Sequence, residues 1–573
     1  MILATAVALA GCSKDQTTPG GGSTDPTITT SSPDTDTDSG IMDEKEDNIA
    51  NTSFDRTISI SWTDSEASVT GDEKGIVSVN GTAVEINNTS TSEKVKYELS
   101  GSCSNGSLKI YSGKKQALVF NGLSLTNPEG AAINNQCKKR CFVVVNGSNS
   151  LSDGASAAYT ATGSEDLKAV FFSEGQLCFS GSGTLSVTAL NSQSKNGIAT
   201  DDYVFLNGPT LKITAGSGAG HGLRGKDAVT VNKGALDINV SADMKKGITS
   251  DSLVVFNGGT AVITATGGTA YDSEDSEPDY KASAGIKVDQ VFKMNGGTLT
   301  INNSGQGGKG ISGDGIAYFN GGTVRINVTG KNYGTSSEGP GGPGGGPGGG
   351  GGYHRVSTRA TNEVVDDYVQ AKAIKFDGDI HVNGGTIVAT SDYSECIESK
   401  GTLSITAGEI YAYSKADDAI NASGDLSVTG GCVCVMSEGN DALDANGNLV
   451  LSGGVIYAVC TAGNPEVALD ADEQHKLYIK PGVTVIAYGG LERGYSATQT
   501  VKTFSCTAGA WNALYGSDGF IAAFKAPSGK SSFSVSAPGL SKGYKGVSVN
   551  EDALLCEGHL AVSGISGGTA SSL

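Results

Sequence analysis

The chain has 573 residues, with 84 glycines, 13 prolines, 6% aromatics and a formal net charge of −20. This composition suits short strands joined by tight turns rather than a helical globule, and the acidic balance excludes a nucleic-acid partner, which needs a basic surface. No stretch carries the 3.6-residue period of a long helix, and none after the N-terminus approaches the ~20 apolar residues of a membrane span.

Residues 1–11 form a short apolar run ending in Leu9-Ala10-Gly11, directly before Cys12. The run resembles a bacterial lipobox and is expected to be a lipoprotein signal peptide with lipidation at Cys12, although no Lys or Arg precedes it. A lipid there anchors a secreted chain to a membrane without spanning it. Ser13-Lys14-Asp15 follows, which favours the outer membrane or cell surface. Residues 12–55 are rich in Thr, Ser, Asp, Pro and Gly, the composition of a disordered tether.

From residue 56 to 196 short alternating runs such as TISISW, VKYELSG and CFVVVNG predict a less regular first part of a β-array. Residues 197–490 repeat one phrase: GITSDSLVVFNGGTAVIT, GIKVDQVFKMNGGTLTIN and GISGDGIAYFNGGTVRIN are three copies. Copies start at Gly197, Gly222, Gly247, Gly285, Gly310, Ala373, Cys396, Ala419, Ala442 and Ala468. Early steps are 25 residues, the later ones 23 and the last 26, apart from an insertion reading YDSEDSEPDYKA and a Gly/Pro-rich loop at 334–371. Each copy reads as strand, turn, strand, Gly-Gly, strand. Three strands in such a period predict an all-β fold, a right-handed parallel β-helix. Residues 491–573 leave the template and predict a small β-rich C-terminal cap.

The phrases ALVFNGLSLTNPEGAAI, VVVNGSNSLSDG, AKAIKFDGDIHVNGGTI, ADDAINASGDLSVTGG and EGNDALDANGNLVLSGGVIYA, in that order, resemble a carbohydrate-binding parallel β-helix family of the clostridial cellulose- and acidic-sugar-binding type, similar to polysaccharide lyases. The resemblance covers most of residues 95–490 and implies calcium sites and a polysaccharide ligand. The sequence departs from it in the Gly/Pro loop and in Ala or Cys for Gly at the later coil starts.

Aligning the copies turns single residues into columns. Just before each start stand Lys246, Ala284, Lys309, Lys372, Glu395, Asp418 and Asp441; two residues after it stand Thr249, Lys287, Ser312, Lys375, Glu398, Asn421 and Asp444. Carboxylates one coil apart repel by roughly 3 kcal/mol at an effective dielectric of about 20. An all-oxygen column without His or Cys suits a hard cation such as calcium. The expected calcium site uses Glu395, Glu398, Asp417, Asp418, Asn421, Asn440, Asp441 and Asp444, with Asp470 and Asp472 beyond it. The alternative is a set of solvated Asp/Asn turns.

Lys372 and Lys375 are expected either to pair with Glu395 and Glu398 or to contact the glycan. With Lys415 they are also the candidate bases of a calcium-dependent lyase. A column of Tyr411 and Tyr457, with Tyr413 beside it, is expected to form an outward strip for stacking on sugars, unless the C-terminal module covers it. Cys137 and Cys141 flank KKR and leave two readings open, a disulfide or free apolar thiols; the other cysteines read as small apolar residues. No catalytic triad, HExxH or phosphate-loop motif occurs. The expected function is non-catalytic polysaccharide binding through a calcium-bearing face. The alternatives are a lyase and a structural adhesin.

Overall fold

The computed structural model describes residues 44–273, 278–334, 356–357, 364–365, 368–472 and 474–573. Cys12, the signal peptide, most of the tether and most of the 334–371 loop lie outside the described residues.

The protein is a nearly all-β solenoid. One sheet has 14 strands and takes the first strand of each coil; a second, of 27 strands, takes the rest. In one coil the runs are Lys246–Ser250, Leu253–Phe256 and Thr260–Ala265. In others the latter two fuse, as in Ala228–Val240 and Leu426–Ser437. Parallel pairing joins each run to its equivalent in the next coil, for example Ile248↔Ile286↔Ile311↔Ile374↔Ile397↔Ile420↔Leu443.

The repeated Asn-Gly-Gly has two local causes. Its asparagines form a ladder, each amide donating to the one below: Asn257 to Asn232, Asn295 to Asn257, Asn320 to Asn295 and Asn383 to Asn320, all at 2.9 Å. Stacked identical amides satisfy one another at every coil. The second glycine needs a left-handed backbone, with φ of 72° at Gly259 and 82° at Gly297.

The change from Gly to Ala or Cys at coil starts is a packing exchange. A Cβ on Gly247 or Gly310 would stand 2.3 or 2.4 Å from the Cγ2 of Ile263 or Ile326. In the late coils the isoleucine position becomes Ala389, Ala412, Val435 and Ala458, in register with Ile326. The smaller side chain there leaves room for Ala373, Cys396, Ala419 and Ala442. Volume-conserving exchange of this kind keeps a core close-packed.

Antiparallel hairpins end the array. Val77–Asn80 pairs with Ala83–Asn88 at the start. At the far end Ser532–Ser536 pairs antiparallel with Thr484–Tyr488 and Lys502–Ser505. Blocked ends prevent further edge pairing.

One expectation changes, and one choice left open by the sequence is decided. Residues 44–55 are not free tether: Glu44–Asp47 is a helical turn, and the buried Asp47 carboxylate accepts from Arg140 Nε at 2.7 Å and Tyr203 Oη at 2.6 Å. Buried ionic hydrogen bonds fix this segment on the solenoid wall. Cys137 and Cys141 are both buried free thiols, as are seven of the other eight described cysteines; Cys432 is half-buried.

Candidate functional site

The acidic columns lie where each late coil enters its first strand: Ile374–Phe376, Ile397–Ser399, Ile420–Ala422 and Leu443–Ala445. The register stacks Lys375, Glu398, Asn421 and Asp444 in consecutive coils, and a bridge from Leu443 to Leu469 puts Asp470 next to Asp444. The column divides into two electrostatic parts.

In the lower part Lys372 neutralises the acids. Its Nζ donates to Glu395 Oε1 at 3.1 Å and to Glu398 Oε2 at 2.5 Å, and all three side chains are buried. Lys400 also pairs with Glu398, and the Ser394 hydroxyl donates to Glu395. Burial works against the Lys372 charge, but the two carboxylates outweigh it and hold the ammonium above its usual range. Burial likewise opposes the Glu395 charge, and Lys372 overcomes it to hold that carboxyl below its ordinary range. Glu395 and Glu398 thus belong to an internal ion cluster, not to an open donor set. Lys375 does not join it; it pairs with Asp377, while Lys415 pairs with Asp392. Lys372, Lys375 and Lys415 are thus each paired with a carboxylate.

The upper part is uncompensated. Carboxylate oxygens of Asp441, Asp444 and Asp470 lie within 4.8 Å of one another. Among the described residues no Lys, Arg or His nitrogen lies within 4 Å of these three, or of Asp417 or Asp418. Asp418 accepts from Asn421 Nδ2 and from the Asp441 backbone N–H, both at 3.0 Å. Asn440 Nδ2 donates to Asp417 at 3.3 Å. Burial, then the neighbouring acids, pushes Asp418 well above the carboxylate range. Burial, joined by Asp470 and Asp444, raises Asp441 to about 8 despite the Val467 N–H that it accepts. Burial and then Asp470 push Asp444 up to about 7. Crowded, half-dry carboxylates without a counter-charge favour whatever positive species reaches them. A second triple, Asp166, Glu174 and Asp201, differs: Lys168 sits 2.8 Å from Asp166 and 2.6 Å from Asp201.

The expected tyrosine strip is not an open surface. Tyr457 is 0% exposed, packed on Phe524 and Phe533, with its hydroxyl donating to the Lys525 carbonyl at 2.8 Å. Tyr411 stacks on His559 with 5.6 Å between ring centroids. The C-terminal module buries this face because Cys434, Met436, Tyr457 and Ile486 present a continuous apolar patch to Phe504, Phe524 and Phe533. Tyr411 and Tyr413 both stay half-buried, and the Tyr413 hydroxyl donates to Glu438 at 2.7 Å.

Sequence reasoning missed another aromatic group. The insertion after residue 265 contains a hairpin, Ala270–Asp272 with Asp279–Lys281. Tyr271 and Tyr280 face each other on it at 5.1 Å, and Tyr280 lies 5.5 Å from Tyr333. Tyr271 and Tyr393 are each 39% exposed. These tyrosines stand in the loops that lead from the third strand to the next coil, as Asp417 and Asn440 do. The available signal was a tyrosine at each end of the insertion.

A β-solenoid with one acidic edge defines the class. The carbohydrate-binding domain-containing protein family matches residues 80–245, 237–332 and 351–569, and the chain belongs to that family, as a carbohydrate-binding parallel β-helix. The solved structure of the polysaccharide lyase-like protein from C. thermocellum, a gadolinium derivative, is 20% identical, covers 46% of this chain and 96% of its own, and superposes with a TM-score of 0.37. No curated protein matches the chain.

Proposed function

We propose that the protein binds polysaccharide without cleaving it, along the edge that carries Tyr271, Tyr280, Tyr333 and Tyr393 at one end and the acidic cluster at the other. The observation that carries this reading is the uncompensated group of Asp441, Asp444 and Asp470. Its donors are all hard oxygens, they converge, and they lack a cationic partner, which is the chemistry that calcium accepts. Asp418 and Asp417 would complete the set, with Asn421 and Asn440 as neutral oxygens. When bound, calcium supplies positive charge through which an acidic sugar or its hydroxyls reach the acidic wall. Tyrosine faces would stack on sugar rings farther along the edge.

The lysines named as candidate lyase bases, Lys372, Lys375 and Lys415, are each paired with carboxylates, which supports binding over cleavage. The expected setting is the cell surface, with the chain held by lipid at Cys12 and no span. Radiolabelled palmitate incorporation, lost on Cys12→Ser, tests the anchor. Titration with calcium tests the site: wild-type protein should bind it, and Asp441→Asn with Asp444→Asn should not. Unchanged calcium affinity in that double variant would remove the reading.

A further inference from the structure

The C-terminal module does more than cover the late coils. Between it and their third strands it leaves a cleft of about 360 Å³, within the ~300–1,000 Å³ of small-molecule sites. Met436 and Val459 form an apolar floor, Tyr413 and His559 are aromatic walls, and Glu438 and Lys525 stand on the rim. Ser528 and Thr461 add hydroxyls.

We propose that this cleft is a second sugar site, which takes one neutral pyranose residue. The inference rests on the carbohydrate reading but not on calcium. A pyranose ring has a C–H face for the apolar floor and aromatic wall, and equatorial hydroxyls for a polar rim. The rim charge decides the class of sugar. Glu557 also lines the cleft but is committed to Arg325 at 2.9 Å. That leaves one carboxylate, Glu438, and one ammonium, Lys525, so the rim has no net charge for an acidic sugar. Glu438 already accepts from the Tyr413 hydroxyl, which fixes its direction. Burial, and then Lys525, hold His559 below its ordinary range, so the imidazole is neutral and offers a hydrogen-bond acceptor or donor rather than a charge. Hydrogen bonds from sugar hydroxyls to a carboxylate are among the stronger ones.

The test uses the full chain in chelator, which silences the calcium edge. Methyl β-glucoside and methyl β-glucuronide are compared by saturation-transfer NMR and calorimetry. The expected result is weak, chelator-insensitive binding of the neutral sugar, with the glucuronide weaker. Ser528→Trp, which fills the mouth from an exposed position, should weaken it about tenfold or more. Glu438→Gln is the second variant and should weaken it while leaving the melting curve unchanged. The proposal is overturned if neither sugar binds, if the glucuronide binds as well as the glucoside, or if both variants bind like wild type. The calcium edge is read separately, from calcium-dependent polymer binding and its loss in the Asp441→Asn, Asp444→Asn variant, so one can fail without the other.

Discussion

Replacing Asp441 by Asn probes the acidic edge without changing its shape. Asp441 is 8% exposed, burial holds its carboxyl up at about 8, and it accepts the Val467 N–H at 2.5 Å, a bond the amide oxygen of Asn can keep. Its folded-state value is raised, so the folded chain holds more protons than the unfolded one between the ordinary value and the raised one. Stability from this group is therefore fully present below the ordinary carboxylate range and is lost as pH rises toward 8. Near neutrality the loss spans roughly three pH units at about 1.4 kcal/mol each, about 4 kcal/mol in all. Asp441→Asn should then melt at higher temperature than wild type in chelator near neutral pH, and the gap should close as the pH is made mildly acidic. Calcium should narrow the gap: a ligand at a hundredfold excess over Kd adds about 2.7 kcal/mol to the protein that binds it, and about 4.1 kcal/mol at a thousandfold excess, where the two proteins become level. Differential scanning calorimetry in calcium and in chelator reads both effects. A variant that melts below wild type in chelator, or that gains as much from calcium, would refute the reasoning.

Lys372→Met should leave Glu395 buried without a cation and Glu398 with Lys400 alone, at a cost of about 3–5 kcal/mol in urea unfolding, with Glu395→Gln restoring part of it. Tyr457→Ala should cost about 3–5 kcal/mol and unseat the C-terminal module, seen as faster proteolysis within residues 491–573. Tyr271→Ala with Tyr280→Ala should lower affinity for a polysaccharide by about 1 kcal/mol or more while leaving calcium affinity unchanged.

Much of the fold was legible because a β-solenoid repeats side chains at fixed intervals. The columns read from the coil starts are true neighbours: Lys375, Glu398, Asn421 and Asp444 stack in register. The acidic edge was legible for the same reason. Pairing of Lys372 with Glu395 and Glu398 was one of the readings the spacing offered; that Lys375 turns instead to Asp377 was not, because spacing does not show which carboxylate a long side chain reaches. The fate of Tyr457 depends on Phe524 and Phe533, in a segment that has left the template, so no periodicity links them. Tyr280 and Tyr333 meet only because an insertion folds as a hairpin, and an insertion interrupts the period that makes columns readable.

The most direct test of calcium-dependent, non-catalytic glycan binding is a washed glycan array. It should be probed with wild type in calcium, wild type in chelator, and the Asp441→Asn, Asp444→Asn variant in calcium. Retained signal is predicted for wild type in calcium alone, with the bound glycan recovered uncut. Equal signal in all three, or release of unsaturated sugar ends, would contradict the account.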